Sequence, residues 1–511
     1  MSIESLSAPP PRVAATTAPL ASFLADLLLD QQRLQTPVAQ FAALHENGLA
    51  SSSTRSLIPL TAPGRGEQYA FAVDLDACSG CKACVSACHS LNGLDANETW
   101  RDVGLIHGGS AAAPYQQTIT TACHHCTDPG CLNGCPVQAY EKDALTGIVR
   151  HLDDQCIGCQ YCVLKCPYDV PKYNERLGIV RKCDLCHSRL AVGEAPACAQ
   201  ACPTRAIRIV TIAAESAGTH FLAAAPTADY TRPTTSYVSA RMIPANAVAV
   251  DAGALHVQPA HPPLAAMLTL TQLAVGLLAT APLIALPAGS TRSITTFVTY
   301  YVTNASRHSG LLAGLALLFA GLGASTLHLG KPLRAWRFFL GLRTSWLSRE
   351  ILVFSFFAPL AAATLLCPAS GILRTAVIVV GFTGVFCSTM IYIDTRRRFW
   401  APLPSCVRFF GTAGIAALLP IQSIAASTLL CLKLAFEIRQ AFGADVSARL
   451  QRGPLRLFLS TRLLLGAGTL LALFKAPPLA AFALFAAGEF CERVLYFRAV
   501  DAPKMPGQTA P

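Results

Sequence analysis

The chain has 511 residues, a length that favours two or three folding units. Hydrophobic residues make up 52% of it and the mean hydropathy is +0.43, which disfavours a wholly soluble protein. The net charge of +11 comes without aromatic-studded basic stretches, which argues against a nucleic-acid-binding protein. Sixteen of the 21 cysteines lie between Cys78 and Cys202, and apolar runs dominate from about Leu264 onward. Composition therefore predicts a cysteine-rich soluble half followed by a membrane half.

Residues 1–65 are predicted to be an N-terminal extension with one amphipathic helix. Apolar residues recur at helical spacing between Leu24 and Phe41, but Asp26 and Asp30 interrupt them, so the segment is too polar to span a bilayer. Such a helix packs either on the protein's own surface or on a partner subunit. We expect no export signal, because an acidic residue precedes any basic one and no twin-arginine pair occurs.

Residues 66–210 contain four cysteine groups, and each group ends in CxxxC. In such spacing three thiolates face one iron-sulfur cube, while the cysteine three residues later ligates the neighbouring cube, so the groups must work in pairs. Sixteen ligands account for four 4Fe-4S clusters with none left over. Disulfides and structural zinc are weaker alternatives, because neither requires groups in which three cysteines bind one site and the fourth binds another. The predicted metal ligands are Cys78, Cys81, Cys84, Cys88, Cys123, Cys126, Cys131, Cys135, Cys156, Cys159, Cys162, Cys166, Cys183, Cys186, Cys198 and Cys202.

The fourth group carries an insert of eleven residues, HSRLAVGEAPA, between its second and third cysteines. Its mixture of charge with Gly and Pro predicts an exposed loop that lengthens the binding loop without changing the ligand count.

In the second group, His124 and His125 could also bind metal. Since the cysteine count is complete, we expect ordinary loop or surface roles for both histidines.

Residues 66–210 resemble the electron-transfer subunit of the dimethyl sulfoxide reductase family of molybdenum enzymes, unusual spacings included. The resemblance implies that the first group pairs with the fourth and the second with the third, a pairing that spacing alone leaves open. The four implied ligand sets are Cys78, Cys81, Cys84 and Cys202; Cys183, Cys186, Cys198 and Cys88; Cys123, Cys126, Cys131 and Cys166; and Cys156, Cys159, Cys162 and Cys135.

Residues 211–262 are rich in Ala, Thr and Pro and are predicted to be a linker that drapes over the iron-sulfur domain. Residues 263–500 are predicted to be a membrane anchor with about eight transmembrane helices, and 501–511 a tail. The predicted fold is thus an α+β ferredoxin-like domain followed by an all-α polytopic membrane bundle. The eight predicted spans are 264–286, 309–329, 350–366, 371–392, 405–419, 421–439, 455–475 and 478–497.

An even number of spans places both ends of the anchor, and the loops after spans two, four and six, on one face. These loops carry nine arginines, whereas the opposite face has little beyond Arg292, Arg307 and Arg374, so the positive-inside rule places the iron-sulfur domain in the cytoplasm, at the bacterial inner membrane. Two observations oppose this: the best-known members of the family place their soluble subunits outside, and basic residues that dock a partner mimic the same signal.

The stretch 325–351 resembles the polytopic anchor subunit of the same family, so the chain looks like a fusion of the two subunits. His328 and Glu350 fall toward the cluster face, where a quinol needs a hydrogen-bond partner and a proton acceptor. We nominate these two residues as the quinol site, against the alternative of a satisfied histidine and a locally paired carboxylate. Glu489 and Arg493, spaced i to i+4, are expected to form a structural ion pair.

The predicted function is electron transfer from menaquinol or ubiquinol to a separate molybdopterin-containing catalytic subunit, in anaerobic respiration of the dimethyl sulfoxide reductase type. No haem is expected, because the anchor offers only His261, His308 and His328 as axial ligands. Two alternatives stay open: a passive anchor and assembly platform, and reverse flow from a dehydrogenase partner to quinone. Membrane lipid and quinone are the other expected partners, and the terminal substrate is left open.

Overall fold

The computed structural model describes residues 57–280, 294–366, 370–421 and 423–507, without the side chains of 294–309 and 365–366. The amphipathic helix predicted around 24–41 lies outside these residues.

The iron-sulfur half is built on two three-stranded sheets. In the first sheet β1 (Glu67–Asp74) pairs antiparallel with β8 (Ile207–Ala213) and parallel with β9 (Ser236–Val238). In the second sheet β2 (Asp102–Gly109) lies between β3 (Pro114–Thr121) and β10 (Val248–Ala249). Two hairpins, β4 (Tyr140–Lys142) with β5 (Val149–His151) and β6 (Lys172–Asn174) with β7 (Ile179–Arg181), complete the strands.

Short helices begin inside the cysteine groups, as the spacing predicts. They are α1 (Ala83–Asn92), α2 (Gly130–Gly134), α3 (Tyr161–Lys165), α4 (His187–Ala191) and α5 (Ala197–Gln200). The region predicted to be a linker supplies β9 and β10 to the two sheets. These strands are only three and two residues long, so no periodic pattern could reveal them.

The membrane half contains a helix at each of the eight predicted spans. They are α6 (Pro262–Thr280), α7 (Ile294–Thr326), α8 (Trp346–Leu366), α9 (Gly371–Ile393), α10 (Pro402–Leu418), α11 (Ser423–Ala441), α13 (Arg456–Lys475) and α14 (Pro478–Arg498), with the short α12 (Val446–Arg452) between the sixth and seventh. Within the described residues four of them, α6, α8, α9 and α13, are long and apolar enough to cross a membrane. That all eight cross stays a prediction.

The loops between the helices bring the two halves together. After α7 the chain forms a 3₁₀ helix, Pro332–Gly341, that lies against the second and third cysteine groups. The Gly341 amide donates to the Pro136 carbonyl at 2.9 Å, and the Lys331 amide donates to the Ile157 carbonyl at 3.0 Å. The loop after α9 joins the same surface, where Lys165 pairs with Asp394 at 2.5 Å. The turns after α7 and α9, the second and fourth helices of the bundle, therefore face the iron-sulfur half.

The segment after α14, which the sequence predicted to be a tail, packs against the iron-sulfur half. Met505 is fully buried in the hydrophobic core of the iron-sulfur half, and Lys504 pairs with Asp251 at 2.5 Å. The backbone around Pro506 passes so close to Gly104 in β2 that a Cβ at Gly104 would overlap the Pro506 carbonyl oxygen. Both ends of the membrane half are thus attached to the iron-sulfur half.

Candidate functional site

All four cysteine groups share one backbone feature. The residue before the second cysteine of each group has a positive φ: Gly80 (75°), His125 (41°), Gly158 (70°) and Leu185 (61°). This left-handed conformation is unfavourable for residues other than glycine, so it marks a backbone held in place by its surroundings. It turns the loop sharply, so that successive cysteines face one side of the loop.

Two sets of four cysteines line cavities directly. One cavity is lined by Cys123, Cys126, Cys131 and Cys166. Another is lined by Cys78, Cys81, Cys84 and Cys202. Each cavity takes three cysteines from one group and the last cysteine of another group. This is the exchange of ligands between paired groups that a two-cube arrangement requires.

The remaining eight cysteines form two more sets. Cys135 lies beside Cys156, Cys159 and Cys162, close enough for the thiols to interact electrostatically. Cys88 lies in the same way beside Cys183, Cys186 and Cys198. The structure thus brings together the four sets that the family resemblance implies. Among the described residues no group of three or more His, Cys, Asp or Glu side chains is placed to hold a single metal ion.

Ten of the sixteen thiols lie in surroundings that disfavour a bare thiolate, because burial raises their pKa. Burial raises the pKa of Cys135 to about 11, although backbone amides of Val137 and Ala139 oppose the shift. Burial likewise raises the pKa of Cys166 to about 11. A buried thiol deprotonates when a metal supplies compensating positive charge, so these sites suit an iron-sulfur cluster and do not suit free reactive cysteines.

Family comparisons agree with this donor set. Residues 115–212 match the model of a 4Fe-4S dicluster domain, and residues 262–432 match that of the DMSO reductase anchor subunit (DmsC). Over 155 residues the protein is 39% identical to the B subunit of anaerobic dimethyl sulfoxide reductase from Haemophilus influenzae, covering 29% of this chain and 75% of that relative. The protein belongs to the family of dimethyl sulfoxide reductase B subunits. It joins the electron-transfer subunit to an anchor subunit in one polypeptide.

Other relatives widen the comparison. The protein is 37% identical over 148 residues to the B subunit of anaerobic dimethyl sulfoxide reductase from Escherichia coli, covering 27% of this chain and 72% of that relative. It is also 34% identical over 178 residues to the formate dehydrogenase-O iron-sulfur subunit of Escherichia coli, covering 31% of this chain and 59% of that subunit. An iron-sulfur subunit of this family is thus also found beside a dehydrogenase.

The two histidines of the second cysteine group lie in a loop, one of the two expected roles, but they are buried and not at the surface. The His124 ring lies 2.9 Å from the Thr235 hydroxyl, and His125 Nδ1 accepts from the Val149 amide at 3.1 Å. Burial lowers the pKa of His124 to about 3, so the ring is neutral at physiological pH. Sequence could not show this, because Thr235 lies in the region predicted to be a linker.

The eleven-residue insert of the fourth group is partly exposed and partly ordered. It begins with α4, and Val192 at its tip is 73% exposed. Arg189 folds back under the loop, where it pairs with Glu194 at 3.1 Å and donates to the Gln200 side chain at 2.6 Å. The insert therefore bulges outward as predicted, but an internal ion pair holds its base.

The turn after α7 places His328 against the third cysteine group. Its ring lies within hydrogen-bonding reach of the Cys159 backbone. It also meets the His261 ring edge to face, with 5.3 Å between ring centroids. Gly330, two residues later, packs so tightly on Gly178 that a Cβ there would overlap the Gly178 carbonyl oxygen. Sequence reasoning named His261 only as a possible axial ligand and left it out of the quinol site.

Glu350 lies elsewhere on the same side of the bundle. It is buried in α8, and the Ser388 hydroxyl of α9 donates to its carboxylate. The described contacts do not join Glu350 directly to His328. An aromatic cluster connects their surroundings: His261 contacts Phe497, and Phe497 contacts Tyr392, which lies within electrostatic reach of Glu350.

Glu489 and Arg493 are buried in ion pairs, but not with each other as expected. Arg493 pairs with its neighbour Glu492, whereas Glu489 pairs with Lys433 and with Arg462, the latter at 2.8 Å. Helical spacing suggested the wrong partner, because residues on α11 and α13 come closer to Glu489 than its own helix neighbour does. The complete cluster, here called the buried charge network, contains Arg408, Lys433, Glu437, Arg462, Glu489, Glu492 and Arg493.

Proposed function

We propose that the protein oxidises a quinol where the membrane half meets the third cysteine group, and that its electrons leave for a separate, molybdopterin-containing catalytic subunit. One observation carries this proposal. The turn with His328 lies directly on the backbone of the third group, at Cys159 and at the Ile157 carbonyl. A quinol bound at this turn would lie beside a ligand loop.

The cofactors of this proposal are four 4Fe-4S clusters, held by the four cysteine sets described above. When bound, each cluster takes up and releases one electron, which suits stepwise transfer from a two-electron donor. The protein's own part is to bury the thiols and to fix the loops through positive-φ turns. The family comparisons support iron-sulfur clusters, and the count of four rests on the sixteen grouped cysteines.

The proposed quinol site uses His328 as hydrogen-bond partner for a quinol hydroxyl and Glu350 as proton acceptor. Both are candidates by position: His328 lies on the ligand loop, and Glu350 is a buried carboxylate with one hydroxyl partner, Ser388. Menaquinol and ubiquinol both fit this chemistry. We continue to expect no haem, because the anchor offers only His261, His308 and His328 as axial ligands.

For sidedness we propose that the iron-sulfur half lies on the cytoplasmic face of a bacterial inner membrane, following the arginine-rich loops. Several of these arginines also hold the two halves together. Arg334 donates to the Asp153 carbonyl and Arg337 to the Asp154 carbonyl, both at 3.3 Å. Docking thus accounts for part of the positive charge, and accessibility labelling of an exposed residue such as Leu145→Cys in sealed vesicles decides the orientation.

Reverse flow, from a dehydrogenase partner to quinone, is the second candidate function. The similarity to a formate dehydrogenase iron-sulfur subunit favours it. The midpoint potentials of the clusters, measured against the quinone couple, separate the two directions. Clusters above the quinone potential support quinol oxidation, and clusters well below it support quinone reduction.

The test of the quinol site is His328→Ala in membranes with the full chain. We expect quinol-dependent cluster reduction to be lost while all cluster signals in electron paramagnetic resonance remain, because the variant removes a hydrogen-bond partner and no ligand. His107→Ala, at an exposed position in β2, is the control. Unchanged reduction in His328→Ala would remove His328 from the quinol site, and loss of the cluster signals would show a structural role for His328. No quinol-dependent reduction in the unaltered protein would favour the passive anchor.

A further inference from the structure

Arg101 is a buried cation in the iron-sulfur half with no acidic partner among the described residues. It precedes β2, is only 2% exposed, and packs its guanidinium over the Phe71 ring at 4.5 Å. One nitrogen donates to the Thr120 hydroxyl at 3.1 Å. Its Nε and second terminal nitrogen have no hydrogen-bond partner in the described part of the protein, and no carboxylate there lies within ion-pairing distance. Such a charge is costly to bury unless a negative group compensates it.

Thiols of two cluster sites supply the negative neighbours. The groups that interact most strongly with Arg101 are Cys198, Cys84, Cys183 and Cys88. Cys84 belongs to the cavity of the first group, and the other three belong to the set that includes the fourth group. The Thr120 hydroxyl connects Arg101 to the site of the first group, since it also lies 3.5 Å from the Cys84 sulfur. Arg101 therefore lies between these two sites, here called the outer pair.

The other two sites, here called the inner pair, lie against the membrane loops and have a different charge environment. Lys165, which lies between Cys162 and Cys166, is buried, and Asp394 at the end of α9 pairs with it at 2.5 Å. Asp394 thus neutralises Lys165. Lys182, which is buried beside Cys123 and Cys131, is a second cation of the inner pair and donates only to backbone carbonyls among the described contacts. Arg101 is the cation of the outer pair, and thiols are its main negative neighbours.

We propose that Arg101 is a positioning charge that raises the reduction potentials of the outer pair. Reduction adds a negative charge to a cluster, so a fixed positive charge beside it stabilises the reduced form. This inference rests on the four-cluster arrangement proposed above, and it gives Arg101 a role that the cysteine pattern does not contain.

The experiment is redox potentiometry of the purified full chain, followed by electron paramagnetic resonance. In Arg101→Met we expect the equilibrium constant for reduction of the outer clusters to fall about tenfold, which equals about 59 mV for a one-electron couple. The reduction potentials of the inner clusters should change by much less than this. Arg101→Lys keeps the charge, so its potentials should stay close to those of the unaltered protein although the Thr120 hydrogen bond is lost.

Arg176→Met is the matched control, because it removes the same charge from a position that is 65% exposed and paired with Asp95. Unshifted outer potentials in Arg101→Met, or an equal fall in Arg101→Lys, would overturn the proposal. If Arg101→Met fails to assemble clusters, Arg101→Gln is measured in its place, since it removes the charge and keeps a hydrogen-bond donor for Thr120; unshifted outer potentials in Arg101→Gln contradict the inference. Fewer than four clusters in the unaltered protein would instead refute the proposed function.

Discussion

Replacing Glu489 tests whether the buried charge network holds the membrane helices together. The network contains four cations (Arg408, Lys433, Arg462, Arg493) and three carboxylates (Glu437, Glu489, Glu492), so its net charge is 4 − 3 = +1. Glu489 is fully buried, its carboxylate contacts Lys433 and Arg462, and Thr412 donates to it at 2.5 Å. Glu489→Gln leaves two buried cations short of a partner and raises the net charge to +2.

Removing one partner of a buried ion pair costs about 3–5 kcal/mol, because it leaves an uncompensated charge. We therefore expect Glu489→Gln to lower the free energy of unfolding of the membrane half by about that amount. The double variant Lys433→Met with Glu489→Met removes one charge of each sign, so it should be clearly more stable than Glu489→Gln. Helicity during denaturation in mixed detergent micelles measures both effects.

Glu175→Gln, at an exposed position in the iron-sulfur half, is the control for loss of one carboxylate. A cost below about 1 kcal/mol for Glu489→Gln, the range of a surface ion pair, would refute the reasoning. A double variant that is less stable than Glu489→Gln would refute it as well.

Two further predictions concern the contact between Gly330 and Gly178 and the release of quinol protons. Gly330→Ala should slow quinol-dependent cluster reduction without loss of iron, because its Cβ would overlap the Gly178 backbone; Gly323→Ala, which has open space around it, should behave like the unaltered protein. Equal defects in both variants would contradict this. In sealed vesicles, turnover with the catalytic subunit should move no net charge across the membrane if quinol protons are released on the face where the substrate consumes them, and a membrane potential generated by turnover would contradict that expectation.

The sequence was most informative where chemistry dictates spacing. The cysteine spacing predicted that three thiolates of one group share a site with the last cysteine of another, because a cube imposes its geometry on any loop that binds it. Which groups pair was implied only by the family resemblance. The eight apolar segments similarly predicted the positions of the long helices, since a bilayer sets the length of the segments that cross it.

What the sequence could not show depends on contacts between distant segments. The short strands β9 and β10 pair with strands more than a hundred residues away in the sequence, and no local pattern predicts them. Arg101 is an ordinary arginine in sequence, and only the fold places it between two cluster sites. For Glu489, helical spacing pointed to Arg493, whereas its partners come from α11 and α13.

The central claim is that four cubes, each held by cysteines from two paired groups, lie in one polypeptide that is joined to its own membrane anchor. Iron and acid-labile sulfide, determined on the anaerobically purified full-length protein, test it most directly. The account predicts about sixteen iron atoms and as many sulfides per polypeptide, four for each cube. A reproducible value of about eight irons, with full occupancy shown by the spectroscopic signals, would contradict it.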